Sequence, residues 1–278
     1  MSREASERSA GGLRVPVSTY RLQLHQGFTF EDARSLVPYL AALGVTDVYL
    51  SPFLQPCSAV SHGYDVADHG RINAALGGEA AYQTFSDALR AHGMGQMIDV
   101  VPNHMGISGS ANAWWLDVLE NGPASPYAPF FDIEWEPLKP ELRHKVLLPI
   151  LGDQYGRVLE NQELRLELLD GALVVRYWDA VLPIGPRTYA QVLRHRLPEL
   201  EAELGPEDPY VLELRSIITA TSHLPARTEA DPERRAERSR EKQILKRRLD
   251  ALVRESPAMK QFVAENVRVF NGVKGDPA

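Results

Sequence analysis

Polar side chains able to do chemistry are concentrated in two short segments, HGYDVADHG at 62–70 and DVVPNH at 99–104. Their imidazole, carboxylate, phenol and amide groups can ligate a metal, transfer protons or hydrogen-bond the hydroxyls of a sugar. The candidate side chains are His62, Tyr64, Asp65, Asp68, His69, Asp99, Asn103 and His104. The type of site depends on their spacing and on the elements that position them.

Three types of site are disfavoured by the spacing. The zinc patterns HExxH and CxxC are absent, so we predict no metal and no cofactor. There is no GxSxG nucleophile elbow, and the surroundings of Cys57 match no reactive-cysteine pattern. The pair Gly77-Gly78 lacks the Lys-Ser/Thr sequence of a phosphate-binding loop.

A sugar-binding site fits the residue types better. Aromatic side chains near the two segments can stack on the apolar face of a sugar, while Asp, Asn and His bond its hydroxyls. The aromatic candidates are Tyr64, Trp114, Trp115 and Trp135. The competing interpretation is that the tryptophans are core residues, and we favour it for Trp135 and for Trp178.

The first hundred residues predict alternating strands and helices. An alternating stretch begins at Val15, a helix begins after the N-cap Thr29 and ends at Gly44, and the short strand VTDVYLS follows. The amphipathic stretch EAAYQTFSDALRAHG predicts a second helix ending at Gly93, and the apolar run MGQMIDVVPNH predicts a buried strand. This order indicates a parallel sheet.

A parallel sheet determines where the polar segments should lie. Ligands of such sheets bind beyond the carboxyl ends of the strands. We expect 62–70 in the loop after the second strand and 99–104 at the end of the third. Both should therefore lie on the same rim.

The rest of the chain has a different pattern. Residues 105–186 predict a small subdomain with β structure, including a hairpin with Asp170-Gly171 as its two-residue turn. Helices are predicted at 187–204 and 209–222, and the charged stretch 227–255 predicts a solvated helix with one apolar stripe. The last residues, VRVFNGVKGDPA, end in residues typical of turns.

Composition excludes several classes of protein. The formal net charge of −7 argues against a nucleic-acid surface. The one cysteine excludes an internal disulfide framework and favours a cytoplasmic location. No stretch approaches the roughly 20 apolar residues that span a bilayer, so we predict no membrane partner.

Several stretches resemble a known family. DVVPNH (99–104) is similar to the end of the third barrel strand in the α-amylase superfamily of (β/α)8 glycoside hydrolases and transferases, and SHGYDVADHGRINAALGG (61–78) is similar to the loop before it. Four further stretches resemble the maltooligosyltrehalose synthases of that superfamily: STYRLQLHQGFTF (18–30), YLSPFLQPCSAVSHGYDV (49–66), LLPILGDQYGRVLENQELRL (147–166) and VFNG (269–272). The resemblance extends from about Val15 to the last residue, with Gln162 in place of the family's usual glycine.

The resemblance implies an α/β fold, the N-terminal portion of a (β/α)8 barrel with about three strands. A β-containing subdomain would be inserted after strand three, and a helical segment would follow. The implied organisation is a flexible tail at 1–13, the first βα units at 14–104, the inserted subdomain at 105–186 and a mainly helical segment at 187–278.

The activity implied is that of an isomerase. It would turn the reducing-end α-1,4 linkage of a maltooligosaccharide into an α,α-1,1 linkage by a retaining, intramolecular transglycosylation, with an aspartate nucleophile and a glutamic acid as proton donor. The substrate-binding residues implied are Tyr64, His104, Asp99, Asn103, His62 and Asp65. Tyr64 would stack on the sugar, His104 would bond its hydroxyls, and Asp99 would support the rim.

The family's nucleophile lies in a segment similar to GLRIDHPDGL, which has no counterpart here. We therefore expect an incomplete N-terminal part that is inactive alone, with no catalytic residue of its own. Two alternatives stay open. One is an α-1,4-glucan hydrolase or transferase of the same superfamily, and the other is a non-catalytic glucan-binding fragment.

Overall fold

The computed structural model describes residues 15–58 and 62–273, and it separates into two compact units. The first unit extends to Asn112 and the second begins at Ala113. The boundaries predicted from the sequence were instead those of three segments, which end at His104, at residue 186 and at residue 278. The tail predicted at 1–13 lies outside the described residues.

The first unit alternates strands and helices in the predicted order. Its described elements are β1 (Thr19–Leu22), α1 (Phe30–Leu43), β2 (Asp47–Leu50), β3 (Leu54–Pro56), β4 (Val66–Ile72), α2 (Gly78–Ala91) and β5 (Gly95–Ile98). Strands β1, β2 and β5 form a parallel sheet with β2 in the centre. The predicted parallel βαβαβ arrangement is therefore confirmed.

Helix α1 begins and ends where its caps require. The side chain of Thr29 and that of Asp32 form a capping box, in which each satisfies a backbone N–H of the first turn. Gly44 ends the helix in the left-handed conformation, at φ +88°. Both predicted boundaries of this helix are confirmed.

The sheet presents two different faces. Leu22, Leu50 and Ile98 are aligned across the strands, and Leu22 and Leu50 join the core beneath α1 and α2. Successive side chains of a strand point to opposite faces. The neighbouring row, Arg21, Tyr49 and Met97, therefore lies on the face away from the two helices.

The prediction that the third strand is buried is wrong. In β5, Met97 is 38% exposed and Ile98 is 42% exposed. Among the described residues β5 pairs with β2 alone, so it is an edge strand with one uncovered side. The same is true of β1 on the opposite edge.

The expectation of a simple loop at 62–70 is also wrong in part. Residues from Val66 onward form β4, which pairs antiparallel with β3 through two register shifts. Val66 and Ala67 are buried. Burial of these two side chains favours an extended, paired backbone, so only the beginning of the segment stays irregular.

The second unit combines a small antiparallel sheet with a group of helices. Its described elements are α3 (Ala113–Asn121), α4 (Tyr155–Glu160), β6 (Arg165–Leu169), β7 (Ala172–Tyr177), β8 (Ala180–Pro183), α5 (Tyr189–Arg194), α6 (Leu197–Leu204), α7 (Pro209–His223), α8 (Pro232–Glu255) and α9 (Pro257–Asn271). The hairpin between β6 and β7 turns at Asp170 and Gly171, both with positive φ, which confirms the predicted two-residue turn.

One core unites the sheet and the helices of this unit. Leu173 of β7 is packed with buried side chains of four helices: Leu193, Leu214, Ile217, Leu249, Met259 and Val263. The predicted apolar stripe of the charged helix is confirmed in α8, where Leu245, Leu249 and Leu252 are buried.

Helix α9 continues to Asn271, whose side chain bonds both backbone groups of Leu166. The predicted turn residues from 274 on lie outside the described residues. The expectation that Trp178 belongs to the core is wrong. Trp178 is 73% exposed, because it lies with Asp179 at the tip of the turn between β7 and β8 and points away from the core. Trp135 is half-buried.

Within residues 15–58 and 62–273, none of the helices combines the length and the apolar character that crossing a membrane would need.

We predict that Gly171→Ala strongly destabilises the second unit. Its φ is +72°, and a Cβ there would lie 1.9 Å from the carbonyl oxygen of Lys246 in α8. We expect a loss of about 2–4 kcal/mol from left-handed strain and steric overlap together. All four tryptophans lie in the second unit, so urea unfolding followed by tryptophan fluorescence measures this loss.

Gly156→Ala is the matched control. Gly156 lies in α4, and nothing stands within 4 Å of the position that a Cβ would take there. We expect its midpoint to equal or slightly exceed that of the wild type, since alanine favours helix. Equal midpoints for Gly171→Ala and Gly156→Ala would contradict the packing described for this turn.

Candidate functional site

Tyr64, Asp99 and Arg21 form a hydrogen-bonded network in the first unit. The Tyr64 hydroxyl donates to Asp99 Oδ2 over 2.7 Å and accepts from Arg21 Nη2 over 2.8 Å. Arg21 Nη1 also reaches Asp99 Oδ2, at 3.2 Å. Each pair among the three side chains is therefore in direct contact.

The parallel sheet accounts for this meeting. Arg21 in β1 and Tyr49 in β2 are register partners on the face away from the helices. The Arg21 guanidinium lies 4.6 Å from the centre of the Tyr49 ring, a cation–π contact. Asp99 directly follows β5, where its N–H bonds the carbonyl of Leu50. Tyr64 comes from the segment before β4.

The network shifts the pKa of each member. The Tyr64 hydroxyl and then Arg21 hold the pKa of the Asp99 carboxyl below its ordinary value. The Asp99 carboxylate in turn raises the pKa of Tyr64, and Tyr64 and Asp99 raise that of Arg21. At neutral pH the site therefore contains a carboxylate, a neutral phenol and a guanidinium.

His62 and His104 hold the backbone of Tyr64 from two sides. His104 Nε2 lies 3.0 Å from the Tyr64 carbonyl oxygen, and His62 Nδ1 lies 3.1 Å from the Tyr64 backbone nitrogen. The carbonyl can only accept and the amide can only donate. A neutral His104 therefore carries its proton on Nε2, which leaves Nδ1 as an acceptor. A neutral His62 carries it on Nε2, which is a donor.

The remaining candidates contribute less to this cluster. Asn103 is exposed, and its side chain makes no hydrogen bond within the described part of the chain. Asp65 is half-buried, and its carbonyl accepts from the N–H of Cys57 at 3.0 Å. Asp68 Oδ1 accepts from the N–H of Gly70, and His69 Nε2 lies 3.4 Å from the Val101 carbonyl.

Gly106 brings the chain after His104 against the start of β4. Its N–H donates to the carbonyl of Val66 at 2.8 Å. A Cβ at Gly106 would lie 2.4 Å from the Asp65 carbonyl oxygen and 2.4 Å from Cys57 Sγ. The close approach of the two segments therefore requires glycine at this position.

Sequence reasoning missed Arg21 and Tyr49. The signal was present in TYRLQL, where Arg21 and Gln23 alternate with the buried Leu22 and Leu24. Arg21 therefore lies on the face away from the helices, where the carboxylate of Asp99, at the end of β5, is within reach of its guanidinium.

Within the described residues no group of three His, Cys, Asp or Glu side chains is placed to hold a metal. An exposed imidazole acceptor, an imidazole donor and an aromatic ring lie together beside a fixed carboxylate. Such an arrangement can hold a polyhydroxylated ligand.

We predict that Tyr64→Phe raises the pKa of Asp99, because it removes the hydroxyl that most strongly favours the carboxylate. A folded-state pKa below the unfolded one stabilises the fold at neutral pH, and this stabilisation is lost as the pH falls through the lowered pKa. Carboxyl-carbon NMR titration measures the change. Tyr39→Phe, in the exposed part of α1, is the control, and an Asp99 pKa equal in the two variants would refute the network.

Part of this chain is similar in sequence to known proteins. Residues 33–155 match the family described as "Alpha amylase, catalytic domain". A relative from Mycobacterium tuberculosis, provisionally named a maltooligosyl trehalose synthase, is 40% identical over 176 residues, which are 61% of this chain and 21% of the relative. The intracellular maltogenic amylase of Bacillus subtilis is 34% identical over 150 residues, 50% of this chain and 22% of that protein.

A solved structure agrees with these matches. The maltooligosyltrehalose synthase from Arthrobacter ramosus is similar with a TM-score of 0.53 and 44% sequence identity, over 61% of this chain and 21% of that one. The chain thus spans about a fifth of the length of these two synthases. Residues 33–155 are thus similar to the α-amylase catalytic domain, and the chain resembles maltooligosyltrehalose synthases over three fifths of its length.

Proposed function

We propose that this chain supplies the sugar-holding part of an enzyme that converts the reducing-end α-1,4 linkage of a maltooligosaccharide into an α,α-1,1 linkage, which forms a maltooligosyltrehalose. The observation that carries the proposal is the Tyr64–Asp99–Arg21 network, with His104 bonded to the Tyr64 carbonyl. The similarity to maltooligosyltrehalose synthases supports it.

Each side chain of the site has a role in this proposal. The ring of Tyr64 stacks on the apolar face of one glucose unit, while Asp99 and Arg21 hold its hydroxyl and so restrict the ring's rotation. Nδ1 of His104 accepts a hydrogen bond from a sugar hydroxyl, and Nε2 of His62 donates one. Asn103 is an exposed further hydroxyl partner, and Asp65 positions Tyr64 through the backbone.

The chemical step needs groups that we do not assign to this chain. A retaining transfer requires two carboxyl groups about 5 Å apart on opposite sides of the bond. Asp99 is engaged with Tyr64 and Arg21, which suits a supporting carboxylate better than a nucleophile. The expectation that β1, β2 and β5 are the first strands of a (β/α)8 barrel belongs to the same proposal. So does the cytoplasmic location that the sequence predicts.

Two other functions fit specific observations. The match to a maltogenic amylase favours an α-1,4-glucan hydrolase or transferase. The exposed rim of His62 and His104, in a chain without an assigned nucleophile, favours a glucan-binding fragment that does no chemistry. The two alternatives differ in whether the chain converts an α-1,4-glucan into products or only binds it.

We predict that the 278-residue chain binds maltoheptaose and that Tyr64→Ala weakens binding roughly tenfold or more, since burying an aromatic face contributes at least ~1.4 kcal/mol. Isothermal titration calorimetry measures both affinities. Tyr39→Ala, an exposed tyrosine of α1, is the control and should bind as the wild type does. Absence of binding heat at millimolar ligand would overturn the assigned site.

Incubation of the same chain with maltopentaose tests the division of labour. We expect neither loss of reducing ends nor chain shortening. Loss of reducing ends without shortening would show that this chain alone performs the isomerisation. A rise in reducing ends would show hydrolysis and would favour the amylase alternative.

A further inference from the structure

Helix α8 of the second unit buries two charged side chains. Arg238 is 2% exposed and Lys242 is 1% exposed. Burying a cation without a counter-charge is costly, so each needs an explanation.

Lys242 is compensated. Its ammonium pairs with the carboxylates of Asp117 and Glu120 in α3. Lys246, one turn later in α8, shares Glu120. Two lysines and two carboxylates thus balance each other.

The arginines beside this group have no such balance. Arg238 donates from Nε to Asn121 Oδ1 at 3.1 Å and from Nη1 to the carbonyl of Pro225, both neutral acceptors. Arg235 bonds only the carbonyls of Ala124 and Ser125, at 3.2 and 2.8 Å. Within the described residues neither guanidinium forms an ion pair.

Arg227 is the clearest case. Its buried Nε has no hydrogen-bond partner, and its guanidinium donates to no described residue. The group is nevertheless placed closely. The Arg227 guanidinium packs against Gly122. A Cβ added to Gly122 would lie 2.8 Å from Arg227 Nε and 3.0 Å from Nη2. Its own carbonyl accepts from the N–H of Ala124.

The positive charge of this arginine cluster is only partly balanced by nearby carboxylates. Desolvation lowers the pKa of Arg227. It is also the main cause that lowers the pKa of Arg238, which the charges of Glu120 and Asp117 raise and those of Arg227 and Arg187 lower. Arg187 is exposed and has no ion-pair partner among the described residues.

We propose that Arg227 and Arg238, beside the turn at 122–124, form a binding site for a small oxyanion of the phosphate type. A planar guanidinium with free donors matches two oxygens of such an anion, and each bond would be charge-assisted. The anion would satisfy the unpartnered donors of Arg227 and add to the negative charge that Glu120 and Asp117 already place near Arg238. All the residues involved belong to the second unit, so the inference does not depend on the proposed sugar site.

The same chemistry could come from free phosphate or from a carboxylate of another polypeptide segment. We commit to the free anion. The probe is therefore inorganic phosphate added to the 278-residue chain, with chloride and sulfate as the comparison anions.

Thermal unfolding in phosphate and in chloride of equal ionic strength tests the proposal. At about 20 mM phosphate we expect the wild-type Tm to exceed its value in chloride by about 2–4 °C, since the anion binds only the folded state. Arg227→Met should abolish the difference, and Arg227→Lys should retain part of it. Arg247→Met is the control, because Arg247 is an exposed arginine of α8, the helix that carries Arg238.

A measurement on the wild type alone keeps the test independent of any variant's folding. The phosphorus NMR line of inorganic phosphate should broaden on addition of the wild type and sharpen again when sulfate competes. No broadening, or a phosphate-dependent Tm shift that survives in Arg227→Met, would overturn the site.

Discussion

Parallel pairing of β1, β2 and β5 in one register is the constraint on which the first unit depends. Alternation sends Leu22 and Leu50 toward α1 and α2 and leaves Arg21 and Tyr49 on the other face. Because all three strands run in the same direction, Asp99 at the end of β5 arrives on that face too. A shift of one residue would exchange the faces and place the guanidinium of Arg21 among leucines and phenylalanines. The hydrophobic core and the polar network are therefore two results of a single register.

The second unit is organised by charge as well as by burial. Helix α8 carries leucines on one side, as its apolar stripe predicts, and it also brings Lys242 and Lys246 onto the carboxylates of α3. The ion pairs fix α3 against α8 at a definite position along the helix, because each long side chain reaches only a short distance. Apolar packing alone would specify that position less strictly.

Local signals in the sequence were sufficient for some of these features. Thr29 with Asp32 and Gly44 define the ends of α1, and Asp170-Gly171 defines a hairpin, because caps and tight turns depend on a few neighbouring residues. The sequence also predicted that Tyr64, Asp99 and His104 lie near one another, since parallel strands end at the same edge of a sheet. Other features depend on distant partners. The burial of Arg238 and Lys242 requires α3, and the exposure of Met97 and Ile98 reflects the absence of a second neighbour for β5 within the described residues.

Gly106 lies at the close approach of the two segments that carry Tyr64 and His104. There is no room for even one methyl group between its Cα, the Asp65 carbonyl and the Cys57 sulfur. A side chain at this position would overlap with these atoms. The nearest backbone that it would displace is that of Asp65, which is adjacent to Tyr64. A displacement of about 1 Å, roughly what relieving such an overlap demands, already exceeds the tolerance of a hydrogen bond. The position of the Tyr64 ring therefore depends on the absence of a Cβ at Gly106, a residue that lies outside the hydrogen-bonded network.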